Sequence, residues 1–460
     1  MASEVTKFHI FTTGCKSNQW DSYVIAGNLK KKGLTPGSVE RAELIIVNGC
    51  TLTENAERDI RRFIQRARSV NPGAKIVLAG CHAQVYPERT FGADLVLGQK
   101  ERFEVGDFLG ETGCRSERTR DIPIENMPID LQGLSRGNRS SEHGEREGEA
   151  PRAVLVEGAT GYPRAGVPIT DRTRFFFKIQ DGCDRFCTYC IVPYARGRAR
   201  SRPVADILEG MARLKEKGIQ EVVLTGIDVA SYKDPASGCS FTGLLRLLES
   251  VDTPTRIRLS SVDPVCIDNE FVETVEASKK LARSIHIPLQ SADANVLKHM
   301  GRPYGQDKIR WVVSTLQQRV RDIGIGMDVM VGFPGEDDEA FLETYRFLES
   351  LPIFYLHVFR YSDRAGTGAS LMGDKVTEKS KKERVRKLKK LDAAKREAFY
   401  RRFLGERVSI IPEGKLYRGR FMRGYSEHYL PIYIPFQKNL ENNLITIRIE
   451  TMERNLLMGR

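Results

Sequence analysis

The sequence predicts an α/β protein in three parts: an N-terminal parallel α/β domain, a central partial (β/α)6 barrel and a small C-terminal all-β barrel. Three observations lead there. Short apolar runs near the start each end in a Gly-Cys pair, Gly14-Cys15, Gly49-Cys50 and Gly80-Cys81, with amphipathic segments between them. From Arg174 to Tyr361, strand-like and helix-like segments alternate six times. From Glu406 onward the pattern changes to short alternating strands.

Taken in order, the first strands are expected at Phe8–Thr13, Glu43–Asn48 and Lys75–Ala79, a fourth over Ala93–Gly98, and a closing helix over Glu101–Leu109. In a parallel sheet all carboxyl ends share one edge, so the three cysteines should meet there. No fourth ligand is evident nearby, and three buried apolar thiols remain the bland alternative. Periodicity fades across 111–173, and Gly133–Arg152 reads as an exposed linker or an arginine-bearing arm. Barrel strands are expected at Phe175–Ile179, Glu221–Thr225, Arg256–Ser260, Ser284–Leu289, Gly326–Phe333 and Phe354–Tyr361. Right-handed crossovers curl such units into an open barrel whose functional loops follow the strand carboxyl ends. A charged helix, Glu378–Phe403, carries Val385, Leu388, Leu391, Ala394 and Phe399 on one face, and four short strands close the chain. The domain boundaries expected are 5–110, 111–173, 174–404 and 405–460.

With 460 residues, 29% charged and 40% hydrophobic, the chain has the composition of a multi-domain globular protein, and no run reaches the apolar length of a membrane span. Met1–His9 enters a strand almost at once, without a signal-peptide core, so a cytoplasmic location is expected. The net charge of +12 points to a polyanionic partner. Nine cysteines in such a setting suggest metal or redox chemistry rather than disulfides. Cys114, Cys239 and Cys266 stand apart as ordinary cysteines.

The second thiol group, Cys183-x3-Cys187-x2-Cys190, follows the first barrel strand. One loop with this spacing can wrap three thiolates around an iron–sulfur cubane and leave one iron open. Structural zinc is the alternative, although it wants four local ligands and His143 and His286 are distant in sequence.

These residues resemble the radical S-adenosylmethionine (SAM) enzymes. The stretch Lys178–Arg198 around the cysteines is similar to the methylthiotransferases in particular. The resemblance extends to Thr13–Asn18, Val47–Thr51 and Ala79–Gln84, and to the last segment, which resembles the RNA-binding TRAM barrel. It implies two 4Fe-4S clusters, one on Cys183, Cys187 and Cys190 as the catalytic group and an auxiliary one on Cys15, Cys50 and Cys81. It further implies that SAM binds the open iron of the first and yields a 5′-deoxyadenosyl radical, while the second carries the sulfur to be methylated and transferred. The SAM contacts it implies are Tyr189, Gly226, Ser261, Gln290 and Asp328.

Arg196, Arg198 and Arg200 behind the cluster loop, and Arg418, Arg420 and Tyr425 in the final barrel, are the candidate RNA contacts. The partner implied is a tRNA anticodon stem-loop, with an electron donor such as flavodoxin or ferredoxin and no membrane. Among the family's branches, Gly14–Gln19 and Leu356–Thr367 are most like the one that acts on threonylcarbamoyladenosine; the isopentenyladenosine branch is the alternative. Arg360, Ala292 and Gly301 depart from the family pattern, at positions where proline, glycine and a basic residue are usual. A rival of another class is a non-catalytic RNA-binding protein with structural metal.

Overall fold

The computed structural model describes residues 6–108, 153–155, 162, 173–454 and 456–460. The chain divides into two compact units. One gathers the residues before 170 with Asp181–Arg198 and Ser362–Leu371; the other holds Thr170–Gln180, Ala199–Tyr361 and Met372–Arg460. This grouping crosses the boundaries expected at 110 and 174, because buried ion pairs tie the second cysteine loop to the first sheet, as set out below.

The first unit contains β1 (Lys7–Thr12), α1 (Lys16–Lys31), β2 (Thr35–Pro36), β3 (Leu44–Gly49), α2 (Glu54–Val70), β4 (Lys75–Gly80), α3 (Cys81–Val85), β5 (Leu95–Leu97) and β6 (Ala153–Leu155). The strands form one parallel sheet in the order β2-β1-β3-β4-β5-β6. Both faces are covered, which explains the unbroken apolar runs. Ile45, Val47, Ile76 and Leu78 pack with Ile60 and Ile64 of α2, while Leu44, Ile46, Val77 and Ala79 pack with Ile25 and Leu29 of α1. Helix α2 buries Ala56, Ile60, Ile64 and Ala67 at helical spacing, and Thr53 caps it by accepting from the Ala56 amide at 3.2 Å.

Two expectations change here. Glu101–Phe108 is a 3-10 helix with a kink rather than an α-helix. Ala153–Leu155, inside the expected linker, is a sheet strand paired with Leu95–Leu97. The apolar run it belongs to, Ala153 to Val156, is too short to show a period. Cys114 and Gly133–Arg152 lie outside the described residues.

Along the chain there follow β7 (Arg174–Lys178), β8 (Gln180–Asp181), α4 (Val192–Arg196), β9 (Arg200–Ser201), α5 (Val204–Glu216), β10 (Glu221–Thr225) and α6 (Phe241–Ser250). Next come β11 (Arg256–Leu259), α7 (Asn269–Ala277), β12 (Ser284–Gln290), α8 (Ala294–His299), α9 (Gln306–Arg319), β13 (Gly324–Val331), α10 (Asp338–Ser350) and β14 (Tyr355–Arg360). In the second unit β7, β10 and β11 form one parallel sheet and β12, β13 and β14 another. A parallel bridge between Ile257 and Leu281, and the Val262 amide donating to the His286 carbonyl at 2.8 Å, join the two. Six parallel strands thus follow one another in sequence order, the open (β/α)6 arrangement expected. The short elements β8, α4, β9 and α8 are ones that periodicity does not reveal.

Helix α11 (Glu378–Arg401) buries Leu388, Leu391 and Phe399 as expected, but Arg384 replaces Val385 and Ala394 on the covered face. Its guanidinium donates to Glu336 Oε2 at 2.7 Å, so a charge is buried because it is paired. Strands β15 (Arg407–Tyr417), β16 (Phe421–Ser426), β17 (Pro431–Pro435), β18 (Ile445–Glu453) and β19 (Leu456–Gly459) close a barrel in the order β15-β16-β17-β19-β18. The fifth strand, missed by periodicity, removes the open edges. Arg258 docks this barrel: it holds Glu221 at 3.0 Å through two nitrogens and donates to the Ser426 carbonyl at 2.9 Å.

Candidate active site

Each of the first three cysteines stands where a strand ends and a helix begins. Cys15 is the N-cap of α1, Cys50 follows β3 and Cys81 opens α3. Glycine at position 14 is required twice over. Its φ is +92°, and a Cβ there would lie 2.6 Å from Cys50 Sγ. The loops are cross-tied: the Cys50 amide donates to Thr13 Oγ1 at 2.8 Å, Asn18 Nδ2 to the Thr13 carbonyl at 2.9 Å, and Asn48 Nδ2 to the Asn18 carbonyl at 2.9 Å. Burial, helped by the nearness of Cys15 and Cys81, pushes the Cys50 thiol up to about 12. Burial likewise raises the Cys81 thiol, and thiols that hold their protons in this way suit a bound cationic cluster, whose charge offsets the cost of ionising them.

The second triad lies in the same compact unit. Gly182 has a φ of +71°, and a Cβ there would meet the Arg198 carbonyl oxygen at 1.9 Å, so glycine lets the loop close. The Cys183 amide donates to the Gly197 carbonyl at 3.1 Å, and the Cys190 amide to the Cys187 carbonyl at 2.9 Å. The Arg185 amide points at Cys183 Sγ from 3.4 Å, the kind of N–H that supports a thiolate. The donor set and the short, turned loop fit a cubane on Cys183, Cys187 and Cys190.

Arg196 corrects a sequence expectation. It is 1% exposed and cannot serve RNA phosphates. Its guanidinium donates to Asp181 Oδ1 at 2.9 Å, Asp21 Oδ2 at 2.9 Å, Asn18 Oδ1 at 2.7 Å and Cys81 Sγ at 3.2 Å. Arg102 joins the buried group through Asp21 at 3.1 Å, and Gln99 Nε2 gives Cys81 a second donor at 3.4 Å. Two arginines thereby balance two aspartates away from water.

In the second unit, the Gln180 side-chain oxygen accepts from the amides of Ile227 and Asp228 at 3.0 and 2.8 Å and fixes the turn through Gly226. A Cβ on Gly226 would come within 2.9 Å of Gln180, so this turn also needs glycine. Ser261 is exposed beyond β11. Gln290 sits at a register shift with φ +69°, and its buried Oε1 has no partner among the described residues. Tyr189 is half-buried in the cysteine loop. An unanswered acceptor and a narrow glycine turn, both at strand carboxyl ends, fit a polar cofactor such as SAM.

Family models match in two places: the Radical SAM superfamily over residues 177–348, and Uncharacterized protein family UPF0004 over residues 7–98. The threonylcarbamoyladenosine tRNA methylthiotransferase MtaB of Bacillus subtilis is 32% identical, over 96% of this chain and 93% of that protein. The chain belongs to the radical-SAM methylthiotransferase family. The Aquifex aeolicus MtaB is 35% identical over 90% of this chain and 96% of its own. A tRNA-2-methylthio-N(6)-dimethylallyladenosine synthase from Lawsonia intracellularis is 30% identical over 98% of both. Among solved structures, the radical SAM methyltransferase TsrM from Kitasatospora setae shares the fold, with TM-score 0.52, 16% identity and coverage of 78% of this chain and 75% of that one. This methylthiotransferase is therefore a radical-SAM enzyme that uses SAM and iron–sulfur chemistry.

A polar network missed from sequence crosses three barrel strands of the methylthiotransferase. Asp328 Oδ1 on β13 accepts from His286 Nε2 on β12 at 3.0 Å and from His357 Nδ1 on β14 at 2.7 Å. Burial works against the carboxylate, but the two histidines outweigh it and hold Asp328 ionised. The same hydrogen bond raises His357 above its ordinary value. Burial keeps the Tyr355 hydroxyl protonated, so it donates to His286 Nδ1 at 2.6 Å and leaves the proton of His286 on the side of Asp328. Asp328, expected at the cofactor, thus has one oxygen committed to two histidines. The signal was present in part, as a lone ionisable residue in β12 and in β13, whereas β14 carries Tyr355 and Arg360 besides His357.

Gly326 leaves room for the Tyr355 ring, which a Cβ would meet at 2.0 Å. Gly326→Ala is expected to lower stability by about 1–3 kcal/mol through overpacking, seen as a lower denaturation midpoint of the full chain.

Of the RNA candidates, Arg198 is open, its side chain 76% exposed beside Asp184. Arg200 is half-buried. Arg418 and Arg420 are exposed at the β15–β16 turn, each guanidinium over an adjacent ring, Tyr417 at 5.3 Å and Phe421 at 5.0 Å. Tyr425 departs from expectation in part. Half-buried, it stacks its ring on Tyr429 at 5.0 Å and lies under the guanidinium of Arg174 at 4.2 Å, so part of the ring is taken up by internal packing.

Proposed function

We propose that this enzyme inserts a methylthio group at carbon 2 of N6-threonylcarbamoyladenosine beside the anticodon of tRNA, using two 4Fe-4S clusters. The observation that carries this is the possession of both complete cysteine triads within one compact unit, in a chain similar over nearly its whole length to relatives named for that reaction. Cys183, Cys187 and Cys190 would hold one cluster, and Cys15, Cys50 and Cys81 the auxiliary one. Three thiolates apiece leave one iron of each without a protein ligand. When bound, the clusters and SAM supply the electron, the radical and the sulfur.

The chain's own residues position and protect. Gln180 and Gly226 shape the turn for the methionine end of SAM, with Ser261 and Gln290 as further contacts. Gln99 and Arg196 direct N–H groups at Cys81. Exposed Arg198, Arg418 and Arg420 take phosphates of an anticodon stem-loop. An electron donor of the flavodoxin or ferredoxin type supplies the reducing equivalents. No helix among the described residues is long and apolar enough to cross a membrane; a cytoplasmic location is part of the same proposal.

Nucleoside analysis of tRNA from a deletion strain tests the substrate. The methylthio form of threonylcarbamoyladenosine is expected to vanish while that of isopentenyladenosine persists; the reverse result would assign the isopentenyladenosine branch. That second reading draws on the Lawsonia intracellularis relative, which matches 98% of the chain.

A further inference from the structure

The two candidate substrates differ in charge. The threonylcarbamoyl group ends in a carboxylate, whereas the isopentenyl group is a neutral hydrocarbon. An enzyme for the former gains specificity from a cation where that group arrives, because a site built for a polar group discriminates far better than an apolar pocket.

The face shared by His286, Asp328 and His357 carries a candidate: the hydrogen bond to Asp328 favours the protonated form of His357, while burial and Arg396 of α11 oppose it. Ile285, Ile287 and Leu289 of β12, and Met327, Val329 and Val331 of β13, are buried on the opposite, helix-covered parity. Register pairs Gly326 with Tyr355, Asp328 with His357 and Met330 with Phe359, so these residues line up on one face, where Arg396 of α11 lies over the Tyr355 ring at 4.9 Å. Toward the amino ends of the strands this face is closed: Tyr355 lies against Tyr429 at 6.0 Å, and Arg258 covers Tyr429 at 5.0 Å. His357 is one step nearer the carboxyl ends, where barrel enzymes bind their substrates.

The His357 side chain is 68% exposed, while that of Asp328 is 17% exposed. The aspartate therefore sits behind the ring, on the Nδ1 side, and the Nε2 edge points away from it. No partner of Nε2 is seen among the described residues. Phe359, whose ring centroid is 5.8 Å from that of His357, adds an aromatic surface suited to a purine.

We propose that His357, backed by Asp328, takes the carboxylate of the threonylcarbamoyl group through its Nε2 edge and so selects the substrate; this rests on the threonylcarbamoyladenosine reading above. His286 and Tyr355 act behind it, as positioning residues for Asp328.

The test uses the full chain with clusters reconstituted without oxygen, and anticodon stem-loop RNAs carrying threonylcarbamoyladenosine, its methyl ester or isopentenyladenosine. The readout is kcat/KM for the methylthiolated nucleoside. The wild type is expected to favour the acid over the ester by about tenfold or more, the scale of one charge-assisted hydrogen bond. His357→Asn should bring that ratio close to one, and His357→Lys, which restores a cation, should recover the preference. If His357→Asn does not fold, Asp328→Asn reads the same ratio, which is again expected to fall. An unchanged ratio in a variant that still methylthiolates threonylcarbamoyladenosine overturns the role of His357 alone. Turnover of isopentenyladenosine without turnover of threonylcarbamoyladenosine by the wild type overturns the substrate reading and this inference together.

Discussion

Cys187→Ala is expected to abolish 5′-deoxyadenosine formation from SAM, whereas Cys15→Ala should lose the methylthiolated product while SAM cleavage continues. The separation follows from chemistry that depends on which iron is left open. Cys187 belongs to the tight loop that fits the SAM-binding cubane, and its backbone carbonyl also holds the Cys190 amide at 2.9 Å. Cys15 belongs to the sheet edge, where the near contact of Gly14 with Cys50 draws the loops together. Iron and sulfide analysis gives an independent readout. The reconstituted wild type should hold about eight irons, and each variant about four. About four irons in the wild type would remove the second cluster. Methylthiolation retained by Cys15→Ala would remove the auxiliary role from that triad.

The parts of this architecture that were legible in sequence are those coded locally. A strand that ends in Gly-Cys, repeated three times, announces its own edge of the sheet, because the glycines are needed in the turns themselves: Gly14 and Gly80 both have φ near +91°, at +92° and +91°. Six alternations of strand and helix carry their topology through the handedness of crossovers. The illegible parts depend on partners far along the chain. Arg196 lies among exposed-looking arginines, and only the arrival of Asp21 and Asn18, more than 170 residues earlier, makes it a buried residue. The contact of Tyr425 with Arg174, about 250 residues earlier, is likewise invisible in its own strand. His286, Asp328 and His357 each look incidental in their own strands. The register of three parallel strands is what joins them.

The second large effect is expected at Arg196. Arg196→Ala would remove a buried cation that Asp21 and Asp181 share. Breaking a buried pair of this kind costs about 3–5 kcal/mol, since the uncompensated charge stays behind. Trp20, buried beside Asp21 in α1, offers a fluorescence probe of this unit's unfolding, and its denaturation midpoint should fall accordingly. Arg196→Lys is the sharper variant. An ammonium restores the charge but cannot reach Asp181, Asp21, Asn18 and Cys81 together, as the planar fork does. Loss of the N–H donor to Cys81 Sγ leaves more electron density on that sulfur, and the centre it binds becomes harder to reduce. Arg196→Lys should therefore recover part of the stability yet shift the reduction midpoint of the auxiliary centre to more negative potential, as measured by redox titration of the Cys187→Ala background. An unshifted midpoint with restored stability would reduce Arg196 to a structural ion pair. A shifted midpoint would make the same side chain both the tie that holds the second cysteine loop and a tuner of the first triad.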